Sequence, residues 1–351
     1  MFNVPERIAL AIASRGARVL YCEIPVSRFH RKGEPLNEVS ERVFRFGPEY
    51  LGAKFNSLPV IGNLQWKAVA KQIIERANSI KLKDPVFLYS HFERMRPLCE
   101  EMRSAGYPLV HICMDYPEAY QYELIEISDE TVVIPKSVFH ELRARYGEKI
   151  QWIPQSIHLS TVKVQSNGPR PEPVEIASIP RPRLGYLGPT FARLDLPLLR
   201  ELLAKNPDWH FIYFGDSNND LPLPNAHTMG WHRPDELQRY VQSLDVGLMP
   251  YDCLGKKNLY CSPLKLYDYF LTGLPVVSTP ILEISELKDL VYVGSNAEEL
   301  SIAVGRALKE PSDSPKRSLR AEVARAHSTE AQGQRLEEVL ELLKTSQEKT
   351  A

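Results

Sequence analysis

The sequence predicts an α/β protein made of two Rossmann-like domains. Its 351 residues exceed what one ordinary hydrophobic core accommodates and suit two domains of average size. Short apolar runs recur at intervals that leave room for a helix between them, a pattern typical of parallel sheets covered by helices. A proline-rich stretch interrupts this alternation near the middle of the chain.

The first 160 residues contain one series of alternating strand and helix patterns. Apolar runs predict strands at 18–22, 86–89, 109–113 and 131–134. Helical patterns lie between them, at 66–80, 94–105 and 138–146. These elements predict an amino-terminal domain over residues 1–160.

Residues 161–182 predict a linker, because they include the runs Ser-Asn-Gly-Pro-Arg-Pro-Glu-Pro and Ile-Pro-Arg-Pro. Proline fits neither a helix interior nor a central strand. The alternation resumes in a second domain, predicted at 183–315, and a terminal helix at 316–351 is expected to pack back on the first domain. In the second domain, strand patterns lie at 183–188, 209–215, 246–249 and 275–278, and helix patterns at 196–204, 234–243, 263–271 and 297–308.

Charge and cysteine content argue against several classes of protein. Lysine and arginine number 43 against 44 acidic residues, and no basic tract suggests nucleic acid as a partner. The five cysteines are scattered without metal-ligand spacing, so we expect reduced thiols, no metal site and a cytoplasmic protein. No apolar window of about 18 residues predicts a membrane span, and Glu6 and Arg7 interrupt any signal-peptide pattern.

Residues 262–268 carry the most specific chemical signal. Ser262 followed by Pro263 predicts a helix start, because serine caps free amides and proline tolerates the first helical position. Lys265 adds a charge to the positive end of the helix dipole, which suits a diphosphate. Asp268 lies one turn further on and suits hydrogen bonds from ribose hydroxyls. The alternative is an exposed i,i+3 ion pair between Lys265 and Asp268.

This segment resembles the donor-binding motif of GT-B glycosyltransferases of the group 1 or family 4 type. That motif reads roughly Pro-x-Lys-x-x-Glu-(Tyr/Ala)-x-x-x-Gly-x-Pro-Val-Val, and this chain has Pro263, Lys265, Asp268, Gly273 and Pro275 at the matching positions. The resemblance implies a GT-B architecture, in which two Rossmann-like domains with parallel sheets face a central cleft. It also implies transfer of a hexosyl group from a UDP-, GDP- or other nucleotide-diphosphate sugar to a glycan or lipid-linked acceptor in cell-surface polysaccharide synthesis, without a metal or other cofactor.

The resemblance assigns seven residues to the donor site: Gly188, Arg193, Gly230, Ser262, Lys265, Leu266 and Asp268. Gly188 permits close backbone approach to a phosphate, and Gly230 ends a segment that presents backbone to the nucleobase. Arg193 is either a second phosphate-binding cation or a solvated residue at a helix start. The chain departs from the family at Asp268, where glutamate is usual, and at Tyr260, where many members have a second glutamate.

Two candidate catalytic residues follow predicted strands of the first domain, at the edge where parallel sheets bind ligands. His91 matches a position at which the family places a histidine against the donor sugar. Asp115 suits a base that deprotonates the acceptor hydroxyl. The alternatives are a structural histidine and a helix N-cap before Pro117.

The first hundred residues carry an excess of positive charge. Such a surface suits peripheral contact with the anionic face of the cytoplasmic membrane, where a lipid-linked acceptor would lie. The alternative is an ordinary solvated surface.

By this resemblance, we expect the strand with which GT-B domains open to be missing from the amino-terminal domain. Residues 1–5 lead directly into a helical pattern that ends near Ser14. We expect either an incomplete sheet with an exposed strand edge or a coding sequence that continues in frame upstream of Met1 with an apolar strand. An in-frame stop codon immediately before Met1 would contradict the second expectation.

Two other functions fit the same fold. One is a catalytically inactive protein that binds nucleotide sugars, which the tyrosine at 260 and the missing strand favour. The other is a nucleotide-sugar 2-epimerase, which needs several acidic and histidine groups around the donor that the sequence does not offer.

Overall fold

The computed structural model of the chain describes residues 4–30, 32–90, 95–157, 172–188, 192–216, 221–287 and 289–348. The chain divides into two compact units. The first unit contains residues 2–154 and 329–351, and the second contains residues 155–328.

In the part of the first unit that the structure describes, a helix comes first and nine short strands follow. Its helices before residue 155 are α1 (Val4–Ser14), α2 (Pro59–Ser79), α3 (Arg96–Ser104), α4 (Ala119–Ile127) and α5 (Lys136–Tyr146). Its strands are β1 (Val19–Cys22), β2 (Val26–Ser27), β3 (Asn37–Ser40), β4 (Val43–Phe46), β5 (Glu49–Tyr50), β6 (Phe87–Tyr89), β7 (Leu109–Cys113), β8 (Glu130–Val133) and β9 (Ile150–Trp152).

These strands form separate sheets. The largest is parallel with the order β6-β7-β8-β9, and a second has the order β1-β4-β3. Strands β2 and β5 form a short parallel pair. Among the described strands, β1 is therefore paired only with β4, and β6 only with β7.

Apolar side chains form separate hydrophobic clusters around the larger sheet. One contains Ile8 and Ile12 of α1 together with Ile112 of β7. The other contains Trp66 of α2 and Leu98 of α3. The β7 strand, buried along its whole length, contributes residues to both clusters. Because a parallel sheet has helices on both faces, its strands read as continuous apolar runs, as β7 does.

The four strands predicted for this unit are confirmed within two residues at each end. Helix α2 begins earlier than the sequence pattern suggests, at Pro59 instead of residue 66. Proline suits the first helical turn. The start was not recognised because Val60 and Leu64 are apolar but exposed, so the sequence there does not show separate apolar and polar helix faces. The strands at 37–50 have few residues and little alternation, so the sequence did not reveal them.

The second unit is a regular α/β domain. Its helices are α6 (Val174–Ala177), α7 (Leu196–Lys205), α8 (Pro234–Val241), α9 (Lys256–Leu259), α10 (Leu264–Leu271), α11 (Ala297–Leu308) and α12 (Pro315–Ala326), and a 3₁₀ helix spans Leu282–Leu287. Its strands are β10 (Arg183–Leu187), β11 (His210–Phe214), β12 (Ala226–Thr228), β13 (Val246–Met249), β14 (Val276–Ser278) and β15 (Val291–Val293).

The six strands described in the second unit form one parallel sheet in the order β12-β11-β10-β13-β14-β15. Numbered within the unit, this is the order 3-2-1-4-5-6 of a dinucleotide-binding Rossmann sheet. The direction of winding reverses between β10 and β13. Ligands of such sheets bind at this reversal, beyond the carboxyl ends of the strands.

The region predicted as a linker contains ordered structure in its described part. Residues 172–182 include α6, and they belong to the second unit. Glu172 accepts hydrogen bonds from Arg181 and from Arg183, which lies at the start of β10. The first part of the predicted linker lies outside the described residues.

The terminal segment consists of two helices instead of the single helix that the sequence suggested. Helix α12 ends at Ala326, and α13 spans Thr329–Glu348. The backbone amide of Ile157 donates to the carbonyl of His327 at 2.8 Å, so the intervening residues form a bridge instead of a helical turn. Helix α12 belongs to the second unit, and α13 packs on α1 in the first.

None of the helices within the described ranges is long and apolar enough to cross a membrane.

Candidate functional site

A lysine and two tyrosines meet at the winding reversal of the second unit. Tyr186 lies on β10, Tyr251 lies two residues beyond the end of β13, and Lys265 lies in the first turn of α10. The Lys265 amine donates to Tyr251 Oη at 2.9 Å and lies 3.9 Å from the centre of the Tyr186 ring. Both tyrosines are buried. The Lys265 amine therefore contacts an aromatic wall, formed by Tyr186 and Tyr251, at the position where this type of sheet binds its ligand.

Burial lowers the pKa of the Lys265 amine to about 7, and the nearby charge of Arg193 adds to this effect. Cys261 and Asp268 act in the opposite direction. Because a buried amine is costly to protonate, the Lys265 amine loses its proton at a lower pH than an ordinary lysine. A bound anion would restore the full charge.

Helix α10 begins at Leu264, one residue later than predicted, with Pro263 at the N-cap position. The predicted capping by Ser262 is wrong, because its hydroxyl donates to the Glu283 carboxylate at 2.9 Å. The Leu266 amide donates to the carbonyl of Pro263, and the Leu266 side chain is fully buried in the core. The amides of Leu264 and Lys265, in the first turn of the helix, can therefore donate to a bound anion. Leu266 offers an anion neither its amide nor its side chain, so its predicted place among the donor-binding residues is wrong.

Arg193 is held near Lys265 by a short loop. Its guanidinium donates to the carbonyl of Lys257 and to Asn258 Oδ1, each at 3.3 Å. Arg193 is partly buried and precedes the N-cap of α7, which is Asp195. The loop contacts make Arg193 more than a fully solvated residue, and its charge lowers the pKa of the Lys265 amine. Its role as a second phosphate-binding cation stays a prediction.

The two glycines assigned to the site follow different strands. Gly188 follows β10, and a Cβ at this position would lie 2.8 Å from the Tyr186 ring, so only glycine fits without movement. Gly230 follows β12 with φ +71°, a backbone conformation that favours glycine. Since β12 lies two strands from β10, Gly230 is about 10 Å from the reversal, a distance that a nucleotide spans.

Asp268 lies on α10 one turn beyond Lys265 and is 8% exposed. The alternative of an exposed i,i+3 ion pair is therefore wrong, because the carboxylate is buried and the lysine donates to Tyr251. Tyr260 is partly buried directly after α9. The phenol cannot supply the carboxylate that the family pattern has at this position.

Asp115 lies in the first unit, two residues beyond the end of β7, and is partly buried. Its alternative role as a helix N-cap is wrong, because α4 is capped by Glu118 in a capping box with Gln121. His91 lies outside the described residues.

Sequence reasoning missed several residues that shape the site. Tyr186 and Tyr251 resemble core residues in an apolar strand context, and no spacing in the sequence relates either to Lys265. Gln155 was also missed: its side-chain amide donates to the carbonyl of Ser262 at 3.2 Å, directly before α10. Gln155 lies far from Ser262 in the sequence, so the sequence alone does not indicate that the two residues are in contact.

Across the described parts of the chain, no group of three or more histidine, cysteine, aspartate or glutamate residues could hold a metal ion.

Comparison with protein families gives a match over most of the second unit. Residues 190–310 match the family described as glycosyl transferases group 1. This region is a group 1 glycosyltransferase domain. The domain contains Arg193, Gly230, Lys265 and Asp268, whereas Gly188 lies just before the matched residues.

Among curated proteins, the chain has a relative in Bacillus subtilis. The chain is 30% identical over 154 residues to a protein named as a teichuronic acid biosynthesis glycosyltransferase, TuaH. The matched stretch covers 40% of this chain and 38% of that protein. The chain therefore matches less than two fifths of the length of this relative.

Solved structures resemble the chain over nearly its whole length. Sucrose-phosphate synthase from Thermosynechococcus elongatus matches 97% of this chain and 92% of its own, with a TM-score of 0.70 and 13% identity. An E. coli structure named as trehalose-6-phosphate bound with UDP-2-fluoro glucose covers 97% and 96%, with a TM-score of 0.69 and 12% identity. At these identities the likeness shows the fold alone, and it confirms the predicted GT-B fold with two Rossmann-like units.

Proposed function

We propose that the chain transfers a hexosyl group from a nucleotide-diphosphate sugar to a glycan or lipid-linked acceptor. The observation that carries this proposal is the convergence of Lys265, Arg193 and the amino end of α10 at the winding reversal of the second unit. Two cations and free helix amides suit a diphosphate, because each offers positive charge to a phosphate oxygen. The match to group 1 glycosyltransferases supports the same reading.

In this proposal, the donor diphosphate becomes the leaving group. Negative charge grows on the phosphate oxygen as the bond to the sugar breaks, and the positive groups of the site stabilise it. Lys265 is suited to this role because an anion raises the pKa of its amine from about 7 and restores its charge. In this proposal, positive groups of the protein stabilise the negative charge on the leaving diphosphate, and no cofactor is included.

Asp115 is the base that we propose for the acceptor hydroxyl, together with His91 against the donor sugar. Asp115 follows a buried strand at the carboxyl edge of its sheet, where acceptors reach a Rossmann-like unit. Its assignment predicts that Asp115→Asn lowers kcat strongly while donor affinity stays close to that of the parent.

The acceptor class that we propose rests on the relative whose name places it in teichuronic acid biosynthesis. Contact of the first unit with an anionic membrane surface stays a prediction. Several basic residues of that unit are paired with acids, such as Arg28 with Glu49 and Lys67 with Glu101. These pairs reduce the charge available to a membrane.

The test is a panel of UDP-, GDP-, ADP- and dTDP-sugars, followed by donor hydrolysis and by thermal shift. We expect one nucleotide to raise the melting temperature and its sugar to be hydrolysed slowly without acceptor. Lys265→Ala should weaken donor binding about ten- to hundredfold, because it removes a charge-assisted hydrogen bond worth about 1.5–3 kcal/mol. Lys309→Ala, an exposed lysine of the same unit beyond α11, is the matched control.

Two outcomes would contradict parts of the proposal. A thermal shift without turnover of any donor, with or without acceptor, would favour a nucleotide-sugar-binding protein, as Tyr260 suggests. Equal donor affinity in Lys265→Ala and Lys309→Ala would contradict the proposal that the diphosphate binds at Lys265.

A further inference from the structure

A carboxylate of the second unit lies beside the start of α10. Glu283 belongs to the 3₁₀ helix that follows β14, and its Oε1 accepts a hydrogen bond from the Ser262 hydroxyl at 2.9 Å. Ser262 is 8% exposed and lies two residues before α10, whereas Glu283 is partly exposed. Glu283 therefore contacts the segment that leads into the candidate donor site without being enclosed in the core.

The end of β14 is joined to the aromatic wall that contacts Lys265. Thr279, the first residue after β14, accepts a hydrogen bond at Oγ1 from the Tyr251 amide at 2.9 Å, and Tyr251 Oη accepts from the Lys265 amine at 2.9 Å. The Ile281 amide donates to the carbonyl of Thr279, also at 2.9 Å, so the chain turns sharply before the 3₁₀ helix. These contacts fix the loop that carries Glu283 relative to Lys265.

The order of the strands gives the direction in which a donor would lie across the sheet. Gly230 follows β12, which is two strands from β10 on one side, and Glu283 lies beyond β14, which is two strands from β10 on the other. Two strand spacings amount to about 10 Å. The candidate diphosphate position at Lys265 and Arg193 lies between them, at the winding reversal. A nucleotide that extends toward β12 therefore directs the sugar on its second phosphate toward β14 and Glu283.

A carboxylate suits this position chemically. Sugar hydroxyls are hydrogen-bond donors, and an ionised carboxylate accepts stronger hydrogen bonds than a neutral oxygen does. Its two oxygens offer about four acceptor positions, so the bond from Ser262 does not by itself saturate Glu283. Tyr260 offers a phenol instead, and Asp268 is buried one turn into α10. Of these three residues, Glu283 is the one whose position and chemistry both suit the sugar.

We propose that Glu283 binds a hydroxyl group of the donor hexose, and that Ser262 positions its carboxylate. This inference rests on the proposed function, because it requires a nucleotide-diphosphate sugar at Lys265. It adds a residue that distinguishes the nucleotide sugar from the nucleotide alone. Lys265 and Arg193 bind the diphosphate of both ligands, whereas Glu283 contacts only the sugar. Donors that lack the contacted hydroxyl are then bound more weakly.

The test compares a nucleotide sugar with its free nucleoside diphosphate in calorimetric titrations of the full chain. Glu283→Gln keeps the size of the side chain and removes its charge. We expect this variant to bind the nucleotide sugar about tenfold more weakly than the parent, because a charge-assisted hydrogen bond is lost, and to bind the free diphosphate no more weakly. Glu286→Gln is the matched control, since Glu286 is exposed on the same 3₁₀ helix. The control should change neither affinity.

Donors that each lack one sugar hydroxyl identify the group that Glu283 contacts. We expect one of them to bind the parent about tenfold more weakly than the complete donor does, and to bind Glu283→Gln nearly as well as the complete donor does, because the same contact is already lost. Ser262→Ala is a second variant, which keeps the carboxylate and removes the hydroxyl that holds it. It should weaken binding of the complete donor about threefold and leave binding of the free diphosphate unchanged.

Three results would overturn the inference. The first is an equal loss of affinity for the nucleotide sugar and for the free diphosphate in Glu283→Gln, because Glu283 would then act only through the start of α10. The second is a nucleotide-sugar affinity in Glu283→Gln equal to that of Glu286→Gln. The third is a penalty for every missing hydroxyl that is the same in Glu283→Gln as in the parent.

In each of these cases the parent still binds the nucleotide sugar, so the proposed function stands without this inference. A parent chain that binds neither the nucleotide sugar nor the free diphosphate would instead contradict the proposed function, and the inference with it. The two failures are therefore distinguishable in the same titrations.

Discussion

Lys265 is held against the face of one tyrosine and the hydroxyl of another, and burial keeps the pKa of its amine at about 7. An ordinary lysine has a pKa near 10.4 and carries its charge throughout the physiological range. The pKa of Lys265 instead lies within the physiological pH range. The charge of the free Lys265 amine is therefore more sensitive to pH near neutrality than that of an ordinary lysine.

Donor affinity should therefore depend on pH. Below pH 7 the Lys265 amine is already charged, so binding is strongest. As the pH rises through 7, the free site loses a proton that the diphosphate complex must regain, and affinity falls by up to tenfold per pH unit. Calorimetric titration at pH 6, 7, 8 and 9, in two buffers of different ionisation enthalpy, measures both the affinity and the proton uptake. Binding without proton uptake at pH 8 would contradict this assignment.

Arg193 should affect both the strength of donor binding and its pH dependence. Its charge contributes to the lowered pKa of Lys265, so Arg193→Gln should raise that pKa and move the fall in affinity to higher pH. At pH 6 the variant should bind the donor about tenfold more weakly, because one phosphate-binding cation is lost. Arg200→Gln, an exposed arginine on α7, should change neither quantity. A weaker affinity with an unshifted pH profile would indicate that Arg193 only shapes the loop.

The sequence could predict the position of Lys265 but not its environment. A lysine in the first turn of a helix is a local pattern, and the adjoining proline and glycine complete a recognisable motif. The tyrosines of the wall are distant in sequence, and a tyrosine on an apolar strand does not differ from any core residue. The capping role expected of Ser262 failed because Glu283, on a distant 3₁₀ helix, accepts its hydroxyl.

At the scale of elements, a buried ion pair ties α12 to its surroundings. Arg320 is fully buried and contacts Glu310 through both carboxylate oxygens, and the side chain of Glu310 is 3% exposed. Arg320 also donates to the carbonyls of Leu290 and Gly273, at 2.8 and 3.3 Å. Burial alone would raise the pKa of the Glu310 carboxyl, but hydrogen bonds from Arg320 hold it below its ordinary value. The pair fixes the loop that follows α10.

Glu310→Gln should destabilise the second unit by about 3–5 kcal/mol, because it leaves the charge of Arg320 buried without its counter-ion. Urea unfolding at pH 7 measures this difference. The stability supplied by Glu310 is present above its unfolded pKa and is lost as pH falls through its lower folded pKa, so the gap between the two proteins should narrow in acid. Glu201→Gln breaks the exposed pair with Lys205 and should cost less than about 0.5 kcal/mol. Similar losses in both variants would show that burial of the pair is unimportant.

Strongly periodic elements could be predicted and irregular ones could not. Strand β7 and helix α11 have the bounds that their patterns predict, because each is buried in a regular way. The interruption between α12 and α13 depends on a hydrogen bond from Ile157, which is remote in sequence. In the sequence, the helical patterns of α12 and α13 look like one continuous helix. The local pattern therefore could not reveal the interruption between them.

At the scale of the whole molecule, each unit has its own hydrophobic clusters. Helix α13 completes the first unit: Leu336 is buried among residues of α1 and the sheet, whereas Leu342 on the same helix is 48% exposed. The second unit contains the glycosyltransferase domain and the candidate donor site. Stability of the two units can therefore be perturbed separately.

Scanning calorimetry should resolve two unfolding transitions. Leu336→Ala should lower the one that belongs to the first unit, with a loss of about 2–5 kcal/mol from the cavity left behind, and Leu342→Ala should leave it nearly unchanged. A bound nucleotide should raise the other transition, because it binds the folded second unit alone. A single transition that responds to both the substitution and the nucleotide would show that the units unfold together.

Helix α13 also sets the order in which the units can fold during synthesis. The first unit needs residues 329–348, whereas the second is complete at residue 328. At about 5–20 residues per second, the ribosome takes about 10–35 s to make the intervening residues 155–328. The part of the chain made first must therefore wait, with the surface that packs against α13 uncovered, while the second unit completes its sheet. We therefore expect the second unit to fold before the first is completed by α13, which is the reverse of the usual amino-terminal-first order.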